Sequence, residues 1–82
     1  MDRSGGNEAA RPYLEGRYTN YFIVGHNAFE FLLDFGQSSP EVEKAEFHTR
    51  IITSPTGAKV LLDMFREAID QYERTYGPIQ SP

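Results

Sequence analysis

The spacing of apolar residues changes once along the chain, at the dipeptide Ser54-Pro55, and this change limits the possible folds more than any other feature. Before it, residues 28–36 alternate between two faces, which is typical of a β-strand. After it, apolar residues recur at helical spacing as far as Tyr76, and Gly77 followed by proline is a typical helix end. Strands followed by a single long helix indicate the α+β class.

Two further segments predict strands on either side of residues 28–36. Residues 18–24 and 45–53 are rich in aromatic and β-branched side chains, and a Gly-His-Asn turn signal follows the first of them. The predicted fold is therefore a three-stranded antiparallel meander followed by one long amphipathic helix, in the order β-β-β-α. The sheet residues predicted to face the helix are Phe29, Phe31, Leu33, Phe35, Phe47 and Ile51.

The sequence predicts one small domain with a polar segment at each end. Residues 1–16 have no pattern that would bury them and are predicted to form a mobile arm, residues 17–77 the domain, and residues 78–82 a short tail. A domain of this size buries only about 60% of its unfolded surface. Because the chain has no cysteine for disulfides, we expect oligomerisation to complete the fold.

The sheet face turned away from the helix is the predicted contact surface, because it mixes apolar and charged residues and no element is left to cover it. Strand one contributes either Tyr21 and Ile23 or Phe22 and Val24, since a turn one residue longer reverses the facing. The candidate interface residues are Tyr21, Ile23, Leu32, His48, Arg50 and Ile52.

The pairing of the second and third strands is predicted from charge. A register with Phe35 opposite Phe47 sets Asp34 opposite His48, whereas a shift of two residues would set it against Glu46, which is repulsive. The first register is therefore expected.

Several short motifs together resemble a small, mainly bacterial family known as a domain of unknown function. The motifs are Tyr18-Thr-Asn20, Leu33-Asp-Phe-Gly-Gln37, Arg50-Ile-Ile-Thr-Ser-Pro55 and Tyr72-Glu-Arg-Thr-Tyr-Gly77, and the resemblance covers residues 18–77. It implies a short β-sheet-plus-helix domain that forms oligomers, and it carries no activity, cofactor or catalytic residue. The element order alone has a looser architectural likeness to SecB-type chaperone subunits.

The residue types argue against an enzyme. Without cysteine there is no thiol nucleophile, cysteine-based zinc site or iron–sulfur cluster. The two histidines, His26 at a hairpin end and His48 within a strand, do not predict a metal site. Asp34-Phe35-Gly36 matches a kinase tripeptide, but no glycine-rich loop accompanies it. Glu30 and Asp34 are typical of a solvated sheet face, so we predict no catalytic residue, no cofactor and no metal.

Charge and hydropathy restrict the partners. The net charge is −4, and residues 26–47 carry five acidic residues against Lys44 alone, which disfavours nucleic acid. No apolar run approaches the roughly 20 residues of a membrane span, and no signal sequence is recognisable, so a cytoplasmic location is expected.

Three hypotheses about function follow from the sequence. The first is a non-enzymatic interaction module, a homo-oligomeric adaptor or assembly component that binds itself and a further protein. The second is a SecB-like binder of unfolded polypeptide. The third is a small-ligand or catalytic site that forms at a subunit interface.

Overall fold

The computed structural model describes residues 13–41 and 43–81 and contains three strands and one helix. Strand β1 spans Tyr21–His26, β2 Phe31–Gln37 and β3 Glu46–Thr53, and helix α1 spans Pro55–Tyr76. The strands form one antiparallel sheet in the order β1-β2-β3. The predicted α+β class and element order are confirmed. Of the predicted arm, residues 1–12 lie outside the described residues.

The hairpin between β1 and β2 is longer than the Gly25-His26-Asn27 turn predicted. β1 continues through His26, which pairs with Phe31. The Asn27 Oδ1 atom accepts hydrogen bonds from the backbone N–H groups of Phe29 and Glu30, at 2.7 and 3.0 Å. Because this asparagine turn interrupts the strand, Phe29 lies in the loop and is 82% exposed. The prediction that Phe29 faces the helix from within a strand is therefore wrong.

The pairing of β1 with β2 decides between the two facings left open for strand one. Val24 lies opposite Leu33 and Phe22 opposite Phe35, so these residues share the face toward α1, which we call the inner face. The rings of Phe22 and Phe35 meet edge to face at 5.9 Å. The alternative with Tyr21 and Ile23 on the other face, the outer face, is the one observed. The loop is two residues longer than that alternative assumed, which leaves the facing unchanged.

A β-bulge in β3 overturns the predicted register. Phe35 lies opposite Thr49, whereas Gly36 lies opposite Phe47, so His48 is an extra residue in its strand. The extra residue reverses the facing before it, and Phe47 lies on the outer face instead of facing the helix. Residues 49–53 lie two positions from the predicted register, so Asp34 pairs with Arg50 and not with His48.

Gly36 allows the bulge, because the backbones approach closely there. A Cβ atom at this position would collide with the carbonyl oxygen of Glu46 and lie 2.9 Å from the Cα atom of Phe47. On the outer face, the rings of Tyr21 and Phe47 meet with centroids 5.5 Å apart, on either side of Gly36. Gly36 is the only buried residue in the described part of the chain.

Helix α1 begins and ends where the sequence predicts. Ser54 caps its N-terminus, since its Oγ accepts from the backbone N–H of Gly57 at 3.0 Å, and Pro55 occupies the first turn. At the other end Gly77 adopts a φ of 101°, and its N–H donates to the carbonyl of Glu73 at 2.9 Å. A helix of 22 residues is roughly 33 Å long, long enough to run the length of the sheet.

Candidate interaction surfaces

An open groove separates α1 from the inner face of the sheet. Its volume is about 630 Å³, and Val24, Phe31 and Leu33 form its sheet side. The helix side consists of Pro55, Ala58, Lys59, Leu61, Leu62, Phe65, Arg66, Ile69 and Asp70. Phe31 and Leu33 thus face the helix, as predicted.

The groove remains open because the helix does not close over the sheet. Leu62 is 47% exposed, Phe65 60% and Ile69 39%. No hydrophobic side chain is buried in residues 13–41 and 43–81. The sheet and the helix therefore each have the apolar surface that the predicted hydrophobic core requires, but neither surface buries the other.

The outer face of the sheet carries the second apolar surface. The register brings five of the six candidate interface residues together on this face. Ile23 and Arg50 both lie beside Asp34. Leu32 pairs with Ile52, and Tyr21 pairs with Gly36. Ile52 is 56% exposed and Ile23 48%.

The sixth candidate, His48, is held at the bulge. Its Nε2 atom donates to the carbonyl oxygen of Tyr18 at 3.1 Å, and its Nδ1 lies 2.7 Å from the hydroxyl of Thr49. His48 therefore attaches the segment before β1 to β3. Phe47 is the outer-face residue that sequence reasoning missed. The available signal was Gly36, since a glycine inside a strand often marks a bulge.

An ion pair lies among the apolar side chains of the outer face. The Arg50 guanidinium donates from Nε to Oδ1 of Asp34 at 2.7 Å and from Nη2 to Oδ2 at 2.8 Å. These hydrogen bonds, with the positive charge of Arg50, hold the pKa of the Asp34 carboxyl below its usual value against partial desolvation. The same contacts raise the pKa of Arg50. Asp34 is only 17% exposed, whereas Arg50 is 60% exposed and can also meet a partner.

A polar cleft of about 550 Å³ lies at the end of the sheet near Asn20 and Ser38. The Ser38 N–H donates to Oδ1 of Asn20 at 2.9 Å, and Asn20 Nδ2 donates to the Ser38 carbonyl at 3.1 Å. These bonds tie the approach to β1 to the end of β2. The polar groups of Asn20 and Ser38 in this cleft are therefore bound to each other.

The described residues contain no group of three or more side chains able to hold a metal ion. Glu30, considered with Asp34 as a carboxylate pair, lies in the hairpin loop, and Asp34 is bound by Arg50. Within the same described ranges, no helix combines the length and apolar character that a bilayer crossing requires.

Comparison with known proteins identifies a family and no individual relative. The sequence pattern of the family described as "Protein of unknown function (DUF3467)" matches residues 6–81. No curated protein and no solved structure matches the chain. Because the match covers nearly the whole sequence, the chain belongs to the DUF3467 family.

Proposed function

We propose that this protein is a non-enzymatic protein-interaction module, a homo-oligomer that acts as an adaptor or assembly component. The observation that carries the proposal is the distribution of apolar side chains. In the described residues no hydrophobic side chain is buried, and apolar surfaces lie on both sides of the sheet. A chain with so little core gains its stability from association, because burial of apolar surface is the main favourable term in folding.

The exposed apolar side chains support more than one contact, because they lie on two separate surfaces, the groove beside α1 and the outer face of the sheet.

The outer face is the surface that we propose for contact between subunits of the assembly. Its apolar residues Ile23, Leu32 and Ile52 surround the Asp34–Arg50 pair. Aromatic residues and arginine are enriched at protein interfaces, and the outer face has Tyr21, Phe47 and Arg50. A second copy would meet this face with the same mixture of apolar and paired charged groups.

A SecB-like role, holding unfolded polypeptide, is the second candidate. The feature that favours it is the groove beneath α1, whose walls are mostly apolar and open along the helix. An extended client segment could bury its apolar side chains there. The compartment proposed for either role is the cytoplasm, as expected from the sequence.

Sedimentation equilibrium of the full chain at micromolar concentration tests the proposal. We expect a mass that is a multiple of 9.3 kDa, and a single species at 9.3 kDa would contradict it. Suppressed aggregation of an unfolding client protein would favour the SecB-like role. Thermal stabilisation by a small molecule would instead favour a ligand site at a subunit interface.

A further inference from the structure

Helix α1 carries a row of apolar residues spaced for packing against another helix. Its members alternate in steps of four and three, a heptad pattern that is typical of helix pairs. The row is Ala58, Leu62, Phe65, Ile69, Tyr72 and Tyr76. The first four members line the groove, so the row is open to a partner entering there.

The charges beside this row are arranged for an antiparallel partner. Lys59 lies near the N-terminal end of α1, Arg66 near its middle, and Asp70 and Glu73 in its last two turns. Lys59, Arg66 and Asp70 also line the groove. A second α1 in the same direction would set the Lys59 ends of both helices at the same height. A second α1 running in the opposite direction sets its Glu73 beside Lys59.

We propose that the groove is filled by α1 of a second copy, packed antiparallel to the first about a two-fold axis near the middle of the helix. Each helix then enters the groove of the other subunit, and the inner faces of both sheets cover the helix pair. When the helices overlap fully, Ala58 meets Tyr76 of the second copy, Lys59 lies beside its Glu73, and Arg66 lies close to the two-fold axis. The inference rests on the proposed homo-oligomer and specifies which surface joins two copies, leaving the outer face for further contacts.

Single cysteines test this arrangement, because the native chain has none. In an antiparallel pair, Ala58→Cys in one copy lies about 27 Å along the axis from the same position in the other, and so does Tyr76→Cys. We expect neither variant alone to form a dimer with a short bis-maleimide cross-linker. A mixture of the two variants, refolded together, should cross-link, and Arg66→Cys near the axis should cross-link with itself.

Two other cross-linking outcomes would overturn the proposal. Cross-linking of Ala58→Cys alone and of Tyr76→Cys alone would indicate parallel helices. An oligomer that keeps its mass and cross-links in none of these variants would mean that the groove has a different occupant, such as a client polypeptide. In both cases the proposed homo-oligomer would stand. A monomer at 9.3 kDa would instead contradict the proposed function itself.

A charge placed in the groove gives a second measurement. Leu62→Glu should lower the mass measured by light scattering and reduce helicity, since the second copy completes the core. Met64→Glu is the matched control, because Met64 is on the same helix, is 55% exposed and does not line the groove. Equal masses and melting temperatures for wild type and Leu62→Glu would exclude the groove as the contact between copies.

Discussion

Arg50 of β3 binds Asp34 of β2 with two parallel hydrogen bonds, 2.7 and 2.8 Å long, across neighbouring strands. This geometry depends on the bulge at His48, since uninterrupted pairing from Gly36 and Phe47 onward would set Thr49 opposite Asp34. The pair fixes both charged side chains among the apolar residues of the outer face. It also predicts that the stability of the protein depends on pH in the acid range.

The first prediction concerns acid stability. Because Arg50 holds the folded pKa of Asp34 below its unfolded value of about 3.9, ionised Asp34 favours the folded state. This contribution is fully present above the unfolded pKa and is lost as the pH falls through the lowered folded pKa. In Arg50→Gln, the Asp34 pKa should rise toward its usual value, as measured by NMR titration of the carboxyl carbon. Lys59→Gln, on the helix, is the control. Identical Asp34 titrations in wild type and Arg50→Gln would contradict the assignment.

The second prediction compares two glycines of the sheet. Gly36→Ala should lower the free energy of unfolding by about 1–3 kcal/mol, because the new methyl group meets the backbone of Glu46 and Phe47. At Gly25 no atom lies within 4 Å of the place that a methyl group would occupy, so Gly25→Ala should change stability by less than about 1 kcal/mol. Urea unfolding of both variants at one protein concentration measures the difference. Equal stabilities would mean that the bulge tolerates a side chain.

The third prediction concerns the start of α1. Ser54→Ala removes the hydroxyl that accepts from the Gly57 N–H and should cost about 0.5–2 kcal/mol of unfolding free energy. Ser54→Asp retains an acceptor and should stay close to wild type. Urea unfolding monitored by circular dichroism provides the measurement. If the cap made no contribution to stability, the alanine and aspartate variants would have the same free energy of unfolding.

The fourth prediction tests the outer face. Ile52→Glu should shift the assembly to a smaller species that remains helical, because the charge meets the apolar surface of a neighbouring copy and does not touch the groove. If the helix pair also forms, that smaller species is the dimer. Val60→Glu is the control, with a similar exposure of 51% on the helix and outside the groove. Light scattering with circular dichroism measures both variants. An unchanged mass for Ile52→Glu would remove the outer face from the assembly.

The parts of the fold predicted correctly have strong local signals. The capping serine, the proline after it and Gly77 give the limits of α1, and each acts within a few residues. The alternation in β2 likewise predicts a strand whose odd-numbered residues face the helix. Such patterns can be recognised in a single sequence because residues close together in the chain determine them.

The errors concern relations between distant segments. The bulge at His48 arises where β3 approaches the bare backbone of Gly36, and no residue next to His48 indicates it. Phe29 continues the alternation of β2, but the hydrogen bonds of Asn27 remove it from the strand. For the candidate interface, the simple alternation of strand residues placed five residues on the outer face, where the register also places them. It missed Phe47, because the extra residue in β3 reverses the side to which Phe47 points.

At His48, the alternation of side chains between the two faces of the sheet changes phase within β3. Residues 49–53, which lead directly into α1, keep one alternation, and residues 46–47 follow the opposite one. If the alternation ran unbroken through His48, His48 would pair with Gly36 and the ring of Phe47 would turn toward the inner face. Tyr21 would then lose its aromatic neighbour on the outer face, and the inner face would gain a large ring. The bulge thus decides how aromatic surface is divided between the two sides of the sheet, without any change in composition.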